Sequence, residues 1–439
     1  MTDASRRSHR HWHLRGGRVV DPVSGEDGPG DLHVVDGLLH RRAPEGAPPA
    51  EGIDASGLVL APAFVDPHVH FRDPGDGRSE TIASGLAAAE RGGYADVFAM
   101  ANTRPVNDDP AVTRSMLAAA RASGSPVRLH PVAAATRGLA GREPSDFGAQ
   151  KAAGARAVSD DGMPVLDDGV MERVLLAAGN LGLPVFSHCE TPSLHPEGVA
   201  HEGAAARDLG LAGIPAESES RMVRRDLELA GRLGVPVHLC HVSTAASVEA
   251  LRAARSRGVA ATGEAAPHHL LLEDEDLRRP GPGGSPDAHL KMNPPLRSRA
   301  DREAVLGALL DGTLDCVATD HAPHPADRKR GAGFAGAAFG VIGLENAFSV
   351  LHHRLVVPGR MPLAVLIERM GAGAARVARI PGGRLAEGEP AAVVLLDLFA
   401  GGRVDAESFA SLSRNCPFDG GEISGTVAGL VVGESFVRA

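Results

Sequence analysis

Residues 64–75 read FVDPHVHFRDPG. An apolar run leads into two histidines, His68 and His70, with Arg72 just beyond. Side chains on a strand alternate between its two faces, so these two imidazoles share one face. An exposed strand edge carrying polar residues would explain the pattern. Half of a metal site with a substrate-holding cation beside it would explain it too. The other runs of this kind in the chain decide between the two.

They recur at ADVFAMAN (95–102), VRLHPVAA (127–134), ARAVSDD (155–161), PVFSHCE (184–190), PVHLCHVS (236–243), VAATGEAA (259–266) and CVATDHAPH (316–324). Helical patterns lie between most of them, such as ETIASGLAAAERGG (80–93) and MERVLLAAGNLG (171–182), the second ending in Gly182 before Pro184. Continuous apolar character suits parallel strands buried on both faces. Eight such runs alternating with helices predict an α/β chain with a (β/α)8 TIM barrel over residues 61–378. A doubly wound open sheet is the structural alternative, but no GxGxxG or GxxxxGKS/T motif marks a nucleotide site at its first helix.

The chain ends have a different texture. WHLRGGRVVDP, GDLHVVDGLLHR and GLVLAPAF open the chain, and AAVVLLDLFAG and SGTVAGLVVGESFV close it. They predict one small β-sandwich domain built from residues 1–60 and 379–439. The first residues, MTDASRRSHRHWH, look like a frayed tail, with His9, His11 and His13 on its surface. RRPGPGGSPDAH (278–289) predicts a mobile surface loop between the seventh and eighth strands.

A chain of 439 residues accommodates such a barrel and a satellite domain. A net charge of −10 leaves no basic footprint for nucleic acid or an anionic membrane. Four cysteines without a CxxC pair are too sparse for a disulfide framework. No apolar run reaches the ~20 residues that span a bilayer, and the N-terminus lacks the apolar core of a signal peptide. The expectation is a soluble cytoplasmic protein. Of 45 basic residues only Lys151, Lys291 and Lys329 are lysines, a bias consistent with Ala- and Gly-rich coding.

In a barrel the C-terminal ends of the strands converge on one mouth, where chemistry sits. The first run ends in His68 and His70, the fourth in Asp160 and Asp161, the fifth in His188, the sixth in His241 and the eighth in Asp320. Each alone has an ordinary structural role, as a hydrogen-bonded histidine, a turn or a helix cap. Together at one mouth they predict a metal site. Imidazole and carboxylate donors fit zinc, with manganese or cobalt as substitutes. Cys189 and Cys240 adjoin ligands, but the strand period turns them to the other side as small core residues. An open coordination position would lower the pKa of a bound water towards ~7, which suits attack on a carbonyl-type carbon.

These strand ends resemble the amidohydrolase superfamily. Within it DPHVHFRDPG, MANTRPVND, SDDG, SHCE, HVST, APHHLLL, KMNPPLR, TDHAPH, AAFGVIGLEN and SRNCPFDGGEISGTV resemble dihydroorotase, from about residue 14 to the end of the chain. The resemblance implies reversible cyclisation of N-carbamoyl-L-aspartate to L-dihydroorotate, the third step of pyrimidine synthesis. It implies that His68 and His70 ligate one zinc, and that His188 and His241 ligate a second where one is present. Asp161, 27 residues before His188, would bridge them, with Asp160 as the other reading. Similar hydantoinases, allantoinases and some dihydroorotases bridge with a carboxylated lysine instead. Here the fourth strand end has none, and Lys151 lies ten residues before Asp161 on the surface.

Asp320 would be both ligand and general acid/base, moving a proton between the nucleophile and the ring nitrogen. Arg72, Asn102, Asn293 and His324 would hold the substrate α-carboxylate, and Phe339 and Gly340 would offer backbone groups to the pyrimidine edge. The likeness also implies a homodimer and, in some members, association with aspartate transcarbamoylase. Three departures stand out: Ala101 where proline is commoner, the 278–289 insertion, and Cys416 where threonine is commoner. Two rivals remain distinguishable. A dihydropyrimidinase or allantoinase does not need a cation for an α-carboxylate, and a non-catalytic scaffold should have lost metal histidines.

Overall fold

Phe64–Val69 forms a strand, β1, with all six residues buried, in the computed structural model that describes residues 10–281, 284–329 and 333–439. Parallel to it in chain order run β2 (Tyr94–Ala99), β3 (Arg128–Ala134) and β4 (Ala157–Ser159). A second parallel set comprises β5 (Phe186–Ser187), β6 (Val237–Leu239), β7 (Ala261–Ala265) and β8 (Cys316–Val317). Parallel bridges from Val158 to Val185 and from Val69 to His321 join the two four-stranded sets at both edges. The ring therefore closes, and the open-sheet alternative falls.

Period-two alternation sorts the strand residues onto two faces. Val65, Phe98, Val132, Ala157, Phe186 and Cys316 point inwards and pack with Ala374, Ala375 and Val377 of the helix Ala372–Ala378. Their neighbours Phe64, Val97, Ala133, Val158, Val185 and Val317 face outwards into the larger cluster shared with the helices. The helices start and stop where local chemistry dictates. Thr81 and Ser84 form a reciprocal capping box before Ile82–Gly92, and Gly93 ends it in the left-handed region at φ 80°.

The terminal sheet runs Ser435–Arg438, Glu422–Val432, Ala392–Arg403, Val59–Pro62, His11–Asp21, Glu26–Val35 and Leu38–His40, with Glu51–Asp54 beside His11–Asp21. By hydrogen bonding it is one continuous sheet, and Leu14, Leu32, Val34, Leu60, Val393, Leu395 and Val431 form its own core. The frayed-tail reading of His11 and His13 is overturned, because both lie in the strand His11–Asp21. His11 is buried against the carbonyl of Pro48 (2.8 Å), and His13 stacks on its cross-strand partner His33. His9 lies outside the described residues. So do residues 282 and 283 of the 278–289 loop, whose flanks close on each other: Gly281 N–H donates to Ser285 O (2.7 Å), and Pro280 bridges Pro286. Among the described residues no helix is long and apolar enough to cross a membrane.

Candidate metal centre and active site

The paired strands are shorter than the apolar runs that contain them, and the difference builds the site. Past β5, β6 and β8 the chain leaves the sheet, and His188, His241 and Asp320 lie on those departing segments. His241 (φ 34°), Asp320 (φ 48°) and Arg72 (φ 52°) all adopt left-handed backbone. For a residue with a Cβ that conformation costs on the order of 1 kcal/mol or more, so it persists only where the surroundings impose it. Asp66 supplies one such constraint. It accepts from His68 N–H (3.0 Å) and from the N–H (3.2 Å) and hydroxyl (2.5 Å) of Thr319, tying the HxH segment to the TDH segment. Burial pushes the Asp66 carboxyl up to about 7 despite those donors.

Six side chains from five strand ends converge. His68 Nε2 and His70 Nε2 lie 3.3 Å apart, and His188 Nδ1 and His241 Nε2 lie 3.0 Å apart. Asp161 stands between the pairs. Its Oδ2 is 3.2 Å from His70, and its Oδ1 is 3.3 Å from both His188 and His241 and 3.4 Å from His68. Asp320 Oδ1 approaches His70 Nε2 at 3.1 Å. Asp160, its neighbour's rival for this place, is occupied elsewhere: both its oxygens accept from the N–H and hydroxyl of Thr136 at the end of β3. Tetrahedral donors about 2.0–2.1 Å from a zinc ion would be spaced at about 3.3 Å, close to these separations.

Electrostatics favours a cation here. Burial disfavours the charge of Asp161, but His68, His188 and His241 outweigh it and hold the carboxyl well below the usual range. Asp320 is likewise lowered: burial opposes, while the His70 hydrogen bond and the charges of His68 and His70 prevail. Burial alone would make the histidines less basic. Asp161 and Glu264 nevertheless lift His68 well above its ordinary value, and Asp161 and Glu190 lift His188 to about 10. A pocket that pulls protons onto buried imidazoles also pulls a divalent ion that would replace them.

Residues behind the ligands fix their orientation; Glu264 and Glu190 were not singled out from the sequence, and Asn102, expected on the substrate, hydrogen-bonds His70. Glu264 on β7 accepts from His68 Nδ1 (2.7 Å), His238 Nε2 (2.9 Å) and His241 N–H (3.2 Å). Glu190 accepts from His188 Nε2 (3.0 Å), and Asn102 Oδ1 accepts from His70 Nδ1 (3.0 Å). Such partners set the tautomer and raise ligand basicity. The available signal was a carboxylate buried inside the apolar run VAATGEAA, and an acid directly after SHC.

The expectation for Cys240 needs correction. Its thiol does not turn away from the cluster but lies within ligand reach of His68 and Glu264. Burial and the neighbouring Glu264 raise its pKa, and it packs with Val65, Phe98 and Phe186 in the barrel interior, so it is a small core residue as expected. Cys189 is a buried core residue.

Arg72 lies at the rim, its Nε donating to Pro323 O (3.0 Å) and its Nη2 3.4 Å from His324 Nε2. His324 Nε2 donates to Phe339 O (2.6 Å), and burial beside Arg72 pushes its basicity down to about 3, so it is neutral. Asn293 hydrogen-bonds Glu190, which helps to hold that carboxyl down at about 2 against its burial. Gly340 differs from expectation. It is buried, its N–H donates to Lys291 O (3.1 Å), and its carbonyl accepts from Lys329 (2.8 Å) and Asn415 (3.1 Å), so both backbone groups are already engaged.

The family model for Dihydro-orotase-like proteins matches residues 57–247. A dihydroorotase of Anaeromyxobacter dehalogenans is 46% identical over 427 residues, 97% of each chain. One of Pelotomaculum thermopropionicum is 44% identical over 421 residues, 96% of each. Among solved structures, an L-hydantoinase (dihydropyrimidinase) from Arthrobacter aurescens matches with a TM-score of 0.82, 24% identity and coverage of 98% of this chain and 96% of that one. Identity that low speaks for the barrel fold alone.

Proposed function

Because the chain belongs to the dihydroorotase family of cyclic amide hydrolases, we propose that this mouth catalyses reversible closure of N-carbamoyl-L-aspartate to L-dihydroorotate on zinc, a step of pyrimidine synthesis. The observation that carries the substrate choice is Arg72, a half-buried planar cation at the edge of the His/Asp cluster. A cyclic amide without a carboxylate would leave that charge unpaired.

Zinc suits a donor set of imidazoles and carboxylates. His68 and His70 would hold one ion, and His188 and His241 a second, with Asp161 between the pairs. Bound there, such an ion supplies a Lewis acid for a carbonyl oxygen and a nucleophilic water at neutral pH. Asp320, ionised and hydrogen-bonded to His70, is the proton carrier. In hydrolysis it accepts the proton of the attacking water and returns it to the ring nitrogen as the C–N bond breaks. In ring closure it takes a proton from the carbamoyl nitrogen as that nitrogen attacks the carbon of the protonated side-chain carboxyl, and it passes that proton to the departing hydroxyl, which leaves as water. Arg72 pairs with the unreactive α-carboxylate, while neutral His324 and the amides of Asn102 and Asn293 add hydrogen bonds without further charge. Phe339 contributes the loop against which His324 is set.

The same family likeness supports a cytoplasmic homodimer, working alone or with aspartate transcarbamoylase, and a division into residues 1–60, 61–378 and 379–439. The deciding experiment is hydrolysis of L-dihydroorotate, followed by its ultraviolet absorbance beside dihydrouracil and allantoin, with zinc determined on the same sample. Turnover of dihydroorotate alone is expected. Turnover of dihydrouracil or allantoin in its place would overturn the substrate assignment.

A further inference from the structure

Two of the three lysines in the chain lie against the residues that would hold substrate. Lys291 precedes Asn293 by two positions, and Lys329 ends the short helix Ala326–Lys329 that follows His324. Lys329 is only 2% exposed. Its ammonium donates to the carbonyls of Lys291 (3.0 Å), Ala338 (2.9 Å) and Gly340 (2.8 Å). Those bonds use all three of its donors, and all three acceptors are uncharged carbonyl oxygens.

The acceptors belong to separate parts of the rim. Lys291 opens the segment that carries Asn293, and Ala338 and Gly340 flank Phe339, whose carbonyl accepts from His324. Gly340 N–H closes the triangle by donating to Lys291 O (3.1 Å). Burying an ammonium among neutral acceptors is costly. Burial pushes Lys329 down to about 7, the charge of Lys291 acts in the same sense, and Asp287 opposes it. A methionine here would avoid that cost. Arginine, with 42 of the 45 basic positions, is the common cation of this chain, but its flat fork cannot aim three N–H groups from one atom at three converging carbonyls.

We infer that Lys329 is a positioning residue for the substrate, its ammonium locking the Asn293 segment, the Phe339 loop and the His324 loop into one rim. The inference rests on the dihydroorotase reading above. Lys329 touches neither the metal cluster nor the reacting atoms, so its loss should act on binding.

The test compares K329M, K329Q and K329R with the wild-type holoenzyme, measuring kcat and KM for L-dihydroorotate, zinc content and amide hydrogen exchange over residues 291–293 and 338–341. K329M should raise KM by about tenfold or more, the equivalent of a lost charged hydrogen bond. Its kcat and zinc content should stay near wild type, and the named amides should exchange faster. K329Q, which keeps two donors and no charge, should fold even if K329M does not and fall between the two. K329R should fail to restore KM. An unchanged KM in K329M or K329Q, a loss of kcat and zinc with KM unchanged, or a wild-type KM in K329R would each overturn the lock. If the wild-type protein does not turn over dihydroorotate, the reaction assigned above fails, while the exchange comparison still decides whether Lys329 holds the rim together.

Discussion

Towards the N-terminal end of the barrel, Asp96 on β2 accepts from Arg128 at 2.8 and 2.6 Å and from His130 at 2.8 Å. At the same end, before β7 and β8, Arg255 reaches Asp315 at 2.5 Å and also donates to the carbonyls of Ala261, Gly312 and Thr313. Each of these charged groups has a partner of opposite sign at hydrogen-bond distance. At the opposite end, Asp161 and Asp320 stand among four histidines whose donor atoms crowd each other at 3.0–3.3 Å. Three of the non-glycine residues with left-handed backbone, Arg72, His241 and Asp320, are there as well. One end satisfies its polar groups within the chain. The other leaves them converging on a point, and holds them there by carboxylates that sit behind the ligands. Stability and chemistry are thus assigned to opposite ends, as barrel architecture permits.

The comparison is broken most severely at Asp320. In D320N, zinc content and melting temperature should match wild type, while dihydroorotate turnover falls by ~10³-fold, the scale of a lost general acid/base. A near-normal rate would remove Asp320 from proton transfer and leave it a ligand only. Next comes R72M, which should raise KM by ~10²-fold, because a fully lost ion pair with a carboxylate costs several kcal/mol. Its kcat should change far less. An unchanged KM would mean that the α-carboxylate is held elsewhere, with Asn293 the first place to look.

A smaller effect tests whether the carboxylates behind the ligands matter. E264Q keeps the shape of Glu264 but removes the charge that receives His68 Nδ1–H and His238 Nε2–H. Zinc affinity, measured by competition with a chromogenic chelator, should fall by about 10- to 100-fold. Wild-type affinity would reduce Glu264 to a core hydrogen-bonding residue. Affinity should also drop with falling pH in both proteins, since the ion must displace protons from buried imidazoles.

Glu264 also marks where the sequence stops being legible. His68, His70, Asp161, His188, His241 and Asp320 were readable because each ends an apolar run, and a run that breaks on histidine or aspartate points to the mouth. Glu264 lies inside such a run, and its partner His68 is 196 residues away, so no local spacing reveals it. Asp160 and Asp161 are adjacent and identical. Only the hydroxyl and N–H of Thr136, arriving from β3, draw one carboxylate aside and leave the other to the histidines. The terminal sheet hides itself differently. His11 and His13 look like tail residues until His33 pairs opposite His13 and hydrogen-bonds His11, where ring stacking and hydrogen bonds replace the apolar signature of a strand.

The smallest expected effect lies at the paired end and should leave catalysis alone. Burial raises the Asp96 carboxyl, but His130 and Arg128 outweigh it and hold the folded value below the ordinary one. A carboxylate depressed by folding contributes stability above its unfolded pKa, near 4, and that contribution is lost as pH falls through the folded value. D96N should therefore unfold with about 1–2 kcal/mol less stability at pH 7, since Arg128 is partly solvent-exposed and recovers water as a partner. The gap from wild type should stay level down to about pH 4 and narrow below it as Asp96 takes up a proton. Calorimetry at pH 7, 5 and 3, with kcat/KM measured on the same samples, checks both halves. A gap that widens in acid would mean that Asp96 is not the ionised partner of Arg128. A loss of kcat/KM at unchanged zinc content would mean that the two ends of the barrel are coupled, and the division of labour between them would not hold.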